Sequence, residues 1–160
     1  MKLVDFLAEE AIIYSLKVRD KKSAIKEMVE ALTQSNKIPV KEVDSVMVAL
    51  MKREQLGSTG IGGGVAVPHT KHGCVSRLVV TVARSEEGID FDALDGEPVH
   101  LVFLLLSPNE TAGAHLQALE RIATLIRDSD FRRFMTTASD KKEMIDILRE
   151  VDSHPTRSLT

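Results

Sequence analysis

The stretch that most constrains the fold is Val99 to Leu106, an apolar run broken only by His100. A strand covered on one face alternates apolar and polar residues. A run without alternation is typical of a central strand buried on both faces. Such a strand needs a layer of structure above and another below. Ser107-Pro108-Asn109 ends the run, which is far too short to cross a bilayer, where about 20 residues are needed.

The segments around it supply those layers. Asp20 is placed to cap a helix in which Ile25, Met28, Val29 and Leu32 recur at helical spacing. Asn36 and Pro39 close that helix and open a second, with Val43, Val46, Met47 and Leu50 on its apolar side and its end near Gly57. A third runs from about Ala112 to Arg127, and Phe131, Phe134 and Met135 mark a short helical segment. Asp140 and Glu143 have capping-box spacing ahead of Met144, Ile145, Ile147 and Leu148. Leu78 to Ala83 is a second buried-strand candidate, Ile12 to Leu16 a possible third, and Leu3 to Ala8 a short helix. Residues 85–98 are acidic and carry the breakers Gly88, Gly96 and Pro98, so turns are expected there. The reading is one α/β domain over residues 1–151, a three-layer fold with a mixed sheet and helices on both faces. A polar tail, expected to fray, follows over residues 152–160.

Composition narrows the function classes. With 43% hydrophobic and 28% charged residues the chain has an ordinary globular balance. A net charge of −3 argues against a general binder of nucleic acid or anionic membrane, which needs a basic excess. Cys74 is the single cysteine, so no disulfide forms within the chain, and Asp5 stands where a signal peptide would have its apolar core. A cytoplasmic protein without membrane insertion is expected.

The chemistry concentrates between Arg53 and His72. Gly57, Gly60, Gly62, Gly63 and Gly64 place five of the nine glycines within eight positions. Such a loop is expected to leave N–H groups free to point at an anion. Val65-Ala66-Val67 then stops at Pro68, which presents His69 on a stiff corner. His115 falls in the first turn of the helix after the long strand, where unpaired N–H groups attract anions and disfavour the imidazolium. Arg53 is either a cation suited to a helix C-terminus or a phosphate partner.

Three chemistries suit this set. His69 can act as a nucleophile that takes and returns a phosphoryl group, with donors from the loop amides, Ser58, Thr59, His115 and Arg53. His69, His72, Cys74 and His115 can form a metal site, although the paired motifs of zinc sites are missing. The loop can bind a nucleotide, but it fits neither G-x-G-x-x-G nor the P-loop pattern. His72 reads more simply as a solvated loop residue, His100 as a satisfied strand residue and His154 as a tail residue.

Gly57 through Thr70 resembles the active-site segment of the fructose/mannitol-type enzyme IIA domains of the bacterial phosphotransferase system. That family includes the nitrogen-regulatory enzyme IIA. Asp95 to Phe103 is similar to its second shared segment, and His115-Leu116-Gln117-Ala118-Leu119 to its His-Leu-x-x-Leu motif. The resemblance implies the type-2 (mannitol-type) IIA fold, with His69 the phosphorylated residue and His115 its active-site partner. Arg53 matches the family's arginine ahead of the loop, and Thr59 a hydroxyl position, with Ser58 and Gly60 beside it as phosphoryl-stabilising candidates. The implied donor is the phosphocarrier HPr or its nitrogen-branch counterpart; the implied acceptor is a IIB or a regulatory target. Neither cofactor nor metal is implied, since the phosphoryl group arrives activated. The absence of a fused IIB, IIC or HPr-like portion favours a regulator modestly. His100 stands where many relatives carry an aspartate. A non-catalytic binding module of the same fold, using the pocket for anion sensing, remains the alternative.

Overall fold

The computed structural model describes residues 1–153; His154, Pro155 and the rest of the expected tail lie outside the described residues. Helices α1 (Lys21–Gln34) and α2 (Val43–Leu56) precede the short strands β1 (Gly60–Gly62), β2 (Val65–Ala66) and β3 (His69–Lys71). The long strands β4 (Val79–Ile89) and β5 (Val99–Ser107) follow, then α3 (Ala114–Arg127), α4 (Ser129–Thr136) and α5 (Lys141–Ser153).

The apolar run is the axis of the sheet. β4 lies antiparallel along one edge of β5, from Val79 opposite Leu106 to Ile89 opposite Val99. β2 and β3 run parallel along the other edge, with Val65 opposite Leu101, His69 opposite Leu105 and Lys71 opposite Ser107. Because neighbouring side chains point to opposite faces, β5 feeds two cores. Val102, Leu104 and Leu106 join Ile25, Met28, Leu32, Val46 and Leu50 from α1 and α2. Leu101, Phe103 and Leu105 join Ile122, Leu125, Phe131, Met135, Met144 and Leu148 from α3, α4 and α5. Burying each such side chain stabilises by roughly 1.5–3 kcal/mol, which explains the missing alternation. The mixed sheet with helices on both faces is the expected architecture.

The helix signals hold in detail. Asp20 Oδ2 accepts from Ser23 N at 2.9 Å, and Asp140 Oδ1 from Glu143 N at 2.8 Å, so each aspartate occupies an orphan amide at a helix start. Three expectations are corrected. Ile12 to Leu16 is no strand: Ile12 enters one core and Leu16 the other, whereas strand residues four apart share a face. The segment has one isolated parallel bridge to β4, Ile13 with Ala83, and lies along it by three backbone bonds, Ile13 N to the Val82 carbonyl, Arg84 N to the Ile13 carbonyl and Leu16 N to the Arg84 carbonyl. Residues 85–89 are not a turn but the end of β4, whose register slips between Arg84 and Ile89. Gly88 makes this possible with a φ of +96°, where an added Cβ would lie 2.8 Å from Pro98 Cβ. Asp152 is not the start of a loose tail. It is buried in α5, accepts from Leu3 N and Val4 N, and pairs with Arg121 of α3.

Candidate active site

In open α/β sheets ligands gather at the carboxyl ends of parallel strands. β2 and β5 run parallel, and the two histidines singled out in the sequence meet near their carboxyl ends, His69 following β2 and His115 following β5. His69 opens β3, opposite Leu105. His115 is the second residue of α3, just after Gly113, whose φ of +91° turns the chain into the helix. The ring centroids lie 5.6 Å apart with planes inclined at 51°.

Their hydrogen bonds fix which nitrogens are open. His69 Nδ1 lies 2.7 Å from the Val67 carbonyl. A carbonyl oxygen only accepts, so Nδ1 carries the proton and Nε2 keeps its lone pair. His115 Nδ1 lies 2.6 Å from the hydroxyl of Ser107, the last residue of β5. Ser107 is fully buried and its hydroxyl has no other hydrogen-bond partner among the described residues, so a ring that donated to Oγ would leave the O–H proton without an acceptor. Ser107 therefore donates to Nδ1, and the neutral His115 ring carries its proton on Nε2. The pair offers one lone pair and one N–H donor. Burial is the main cause that pushes the His69 pKa below 6.5, opposed by the bond to Val67 and followed by the charge of Arg53, with Glu54 acting upward. Burial likewise lowers His115, with smaller contributions from His69 and Lys71. Both rings favour the neutral form needed for this assignment.

The glycine loop behaves differently from the expectation. It is a hairpin, β1 antiparallel to β2, turning through Gly63 and Gly64 at φ of +68° and +78°. Several of its amides are committed to protein acceptors. Gly57 N donates to the Glu54 carbonyl, Thr59 N to Glu54 Oε1, Gly60 N to Ser58 Oγ and Gly63 N to Asp95 Oδ2. These four amides are thus held by Glu54, Ser58 and Asp95 rather than left open to an anion. The hydroxyls are committed too: Ser58 Oγ donates to the Phe91 carbonyl and Thr59 Oγ1 to the Glu54 carboxylate. Arg53, in the last turn of α2, donates to the Gly57 carbonyl at 2.9 Å and so caps its own helix, while its charge reaches His69. Of the six candidates, His69 is within reach of both the His115 ring and the Arg53 charge, whereas the bonds of Ser58, Thr59 and Gly60 go to neighbouring protein groups.

The remaining histidines have their own partners. Cys74 N donates to His72 Nδ1 at 3.0 Å, so Nε2 carries the proton and donates to Ser45 Oγ of α2 at 2.7 Å. His72 thus pins α2 to the turn after β3 and is not a free loop residue. His100 Nδ1 donates to the Ser85 carbonyl at 2.9 Å, the satisfied strand residue expected. Among the described residues no group of three or more His, Cys, Asp or Glu side chains is gathered as metal ligands. Among the same residues no helix is long and apolar enough to cross a membrane. Sequence reading missed Ser107 and Glu54. Ser107 was taken only as the end of a strand. An acid in the last turn of a helix opposes the dipole, and that misfit was the available signal for Glu54.

Comparison with known proteins gives the same picture. Residues 5–151 match the family model described as "Phosphoenolpyruvate-dependent sugar phosphotransferase system, EIIA 2". The chain is 40% identical to a nitrogen regulatory protein of Bradyrhizobium diazoefficiens over 151 residues, covering 92% of this chain and 95% of the relative. The crystal structure of nitrogen regulatory protein IIA-Ntr from Neisseria meningitidis superposes with a TM-score of 0.80 at 34% identity, covering 90% of this chain and 97% of that one. A complex of enzyme IIAMTL with phosphorylated enzyme IIBMTL from Escherichia coli shares the fold, with a TM-score of 0.70 at 22% identity over 89% and 96% of the two chains. The chain belongs to the EIIA 2 family of the phosphoenolpyruvate-dependent sugar phosphotransferase system.

Proposed function

We propose that the protein is a cytoplasmic phosphocarrier that accepts a phosphoryl group on Nε2 of His69 from a phosphohistidine donor of the HPr type, or its nitrogen-branch counterpart. One observation carries the reading: Val67 holds the Nδ1 proton of His69, so the open nitrogen is Nε2, on a ring whose centroid lies 5.6 Å from that of His115. Transfer then breaks the donor's N–P bond and forms the Nε2–P bond, while the electron pair returns to the donor's ring. The His69 proton stays on Nδ1, shared with the Val67 carbonyl, which accommodates the ring's new positive charge. His115 Nε2–H and the Arg53 charge stabilise the phosphoryl oxygens, the service such transfers need most. The neighbouring hairpin of Ser58, Thr59 and Gly60 shapes the wall of the site. The names of the relatives at 40% and 34% identity favour a nitrogen-type regulator over a sugar-transport component. Transfer onward to a IIB protein, as the mannitol-system complex suggests for its own components, is the other route.

The test is intact-protein mass under neutral or basic conditions after incubation with enzyme I, donor and phosphoenolpyruvate. Wild type should gain one phosphoryl group, His69→Ala none, and His115→Ala should be labelled slowly. A His69→Ala variant labelled like wild type removes the assignment. No label with either the standard or the nitrogen-branch donors leaves the non-catalytic anion-binding module as the better reading.

A further inference from the structure

Glu54 is the least expected residue near the histidines. Its side chain is 2% exposed, and it sits in the last turn of α2, where the helix dipole disfavours an anion. A buried ion pair by itself seldom accounts for such a placement through stability, since apolar replacements are often as stable. What its carboxylate does hold is Thr59. Oε1 accepts from Thr59 N at 3.2 Å and Oε2 from the Thr59 hydroxyl, while Lys21 Nζ lies 3.1 Å from Oε1 and balances the charge.

The bonds continue in one direction. The Thr59 carbonyl accepts from Val67 N at 3.0 Å. The Val67 carbonyl accepts from His69 Nδ1 at 2.7 Å. Between Glu54 and the imidazole stand two residues, Thr59 and Val67, each held by hydrogen bonds on both its N–H and its carbonyl. Val67 stands just beyond the two-residue strand β2, next to Pro68, which has no N–H, so regular ladder bonds do not set its carbonyl. That carbonyl is held from the Thr59 side through the bond to Val67 N, and from the β5 side through Pro68, whose own carbonyl accepts from Leu105 N at 3.0 Å.

We propose that Glu54 is a positioning residue that fixes the tautomer and plane of His69 through Thr59 and Val67, and so keeps Nε2 aimed at the phosphoryl donor. This rests on the reading of His69 as the acceptor, but the ring's state is measurable without any transfer. The role differs from contact with the phosphoryl group: Glu54 is spent on Thr59, and an anion facing the phosphoryl oxygens would repel them. Thr59 belongs to the same relay, its hydroxyl pointing back to Glu54.

The experiment uses full-length protein labelled with nitrogen-15, comparing wild type with Glu54→Gln and Thr59→Val. Long-range proton–nitrogen correlation spectra report the tautomers of His69 and His115. Phosphorylation kinetics with the protein donor report kcat and KM. In wild type His69 should be a single Nδ1–H tautomer. Glu54→Gln should show a mixture of tautomers at His69 with His115 unchanged, and kcat should fall by about tenfold or more at constant KM, as expected when a reacting group is misplaced. Thr59→Val, which removes only the hydroxyl bond, should give a smaller effect in the same direction and guards against failure of the first variant to fold. A single wild-type-like His69 tautomer in the folded variants, with wild-type kcat, overturns the proposal. If wild type accepts no phosphoryl group while its tautomer still shifts in Glu54→Gln, the relay stands and the acceptor reading fails.

Discussion

Replacing Asp152 is a sharp test of how the fold closes. Its Oδ1 accepts from Leu3 N at 3.1 Å and from Arg121 Nη2 at 2.8 Å, and its Oδ2 accepts from Val4 N at 2.8 Å. The two side chains of the pair are 13% and 4% exposed, so removing one partner leaves a nearly dry guanidinium. Breaking a buried pair costs about 3–5 kcal/mol. The lower end applies here, because Arg121 keeps a long contact to the Val151 carbonyl and some access to water. Asp152→Ala should therefore cost about 3 kcal/mol. Asp152→Asn, whose amide oxygen still accepts, should cost about 1.5 kcal/mol, the worth of a hydrogen bond to a charged group. At about 2–4 °C per kcal/mol for a chain of this size, Asp152→Ala should lower Tm by about 6–12 °C. Urea unfolding followed by circular dichroism gives the free energies. In the double variant with Arg121→Met the loss should be less than the sum of the two single losses, since the stranded cation is gone. A tail residue would cost within about 0.5 kcal/mol. A loss that small for Asp152→Ala would refute the clasp.

Stability should depend on pH through the two site histidines. Both pKa values lie below 6.5 in the folded protein, chiefly through burial. Above 6.5 both folded and unfolded rings are neutral and the stabilisation is complete. As pH falls below 6.5 the unfolded chain binds protons that the folded one resists, so stability declines until the depressed folded values are passed. The urea midpoint should fall between about pH 7 and pH 5 in wild type and fall less in His69→Ala and His115→Ala. That decline sets in at higher pH than any loss from Glu9, whose carboxyl is held below 4.5 by its hydrogen bond to Arg149. Gly88→Ala should destabilise by about 1–3 kcal/mol in urea, since it combines a positive φ with a Cβ too close to Pro98 and His100; a neutral result would mean that β4 relaxes there freely.

Helices and the central strand were legible because their signals are local. Ile25, Met28, Val29 and Leu32 share a face, Asp20 and Asp140 cap, and Leu101 to Leu106 lacks alternation because both its faces are covered. The two histidines were legible for the same reason: Pro68 and Gly113 place them at element starts. What escaped depends on partners distant in the chain. The glycine cluster suggested free amides, but Asp95, over 30 residues away, takes one, and antiparallel pairing to β2 makes a hairpin. Gly88 looks like a breaker until the slip in β4 is seen to need it. Asp152 looks like tail until the first turn of the chain is found upon it. The bonds of Ser107 to His115 and of Glu54 to Thr59 span only a few residues, yet no spacing rule announces either.

The most direct test of the account is the position of the phosphoryl group on the ring. Phosphorylated protein labelled with nitrogen-15 in its histidines, kept at neutral or basic pH, allows the phosphorus–nitrogen coupling to be read for each site. The account predicts a single phosphorylated residue, His69, coupled through Nε2, with Nδ1 still protonated against the Val67 carbonyl. Coupling through Nδ1, or a phosphoryl group on His115, would contradict it.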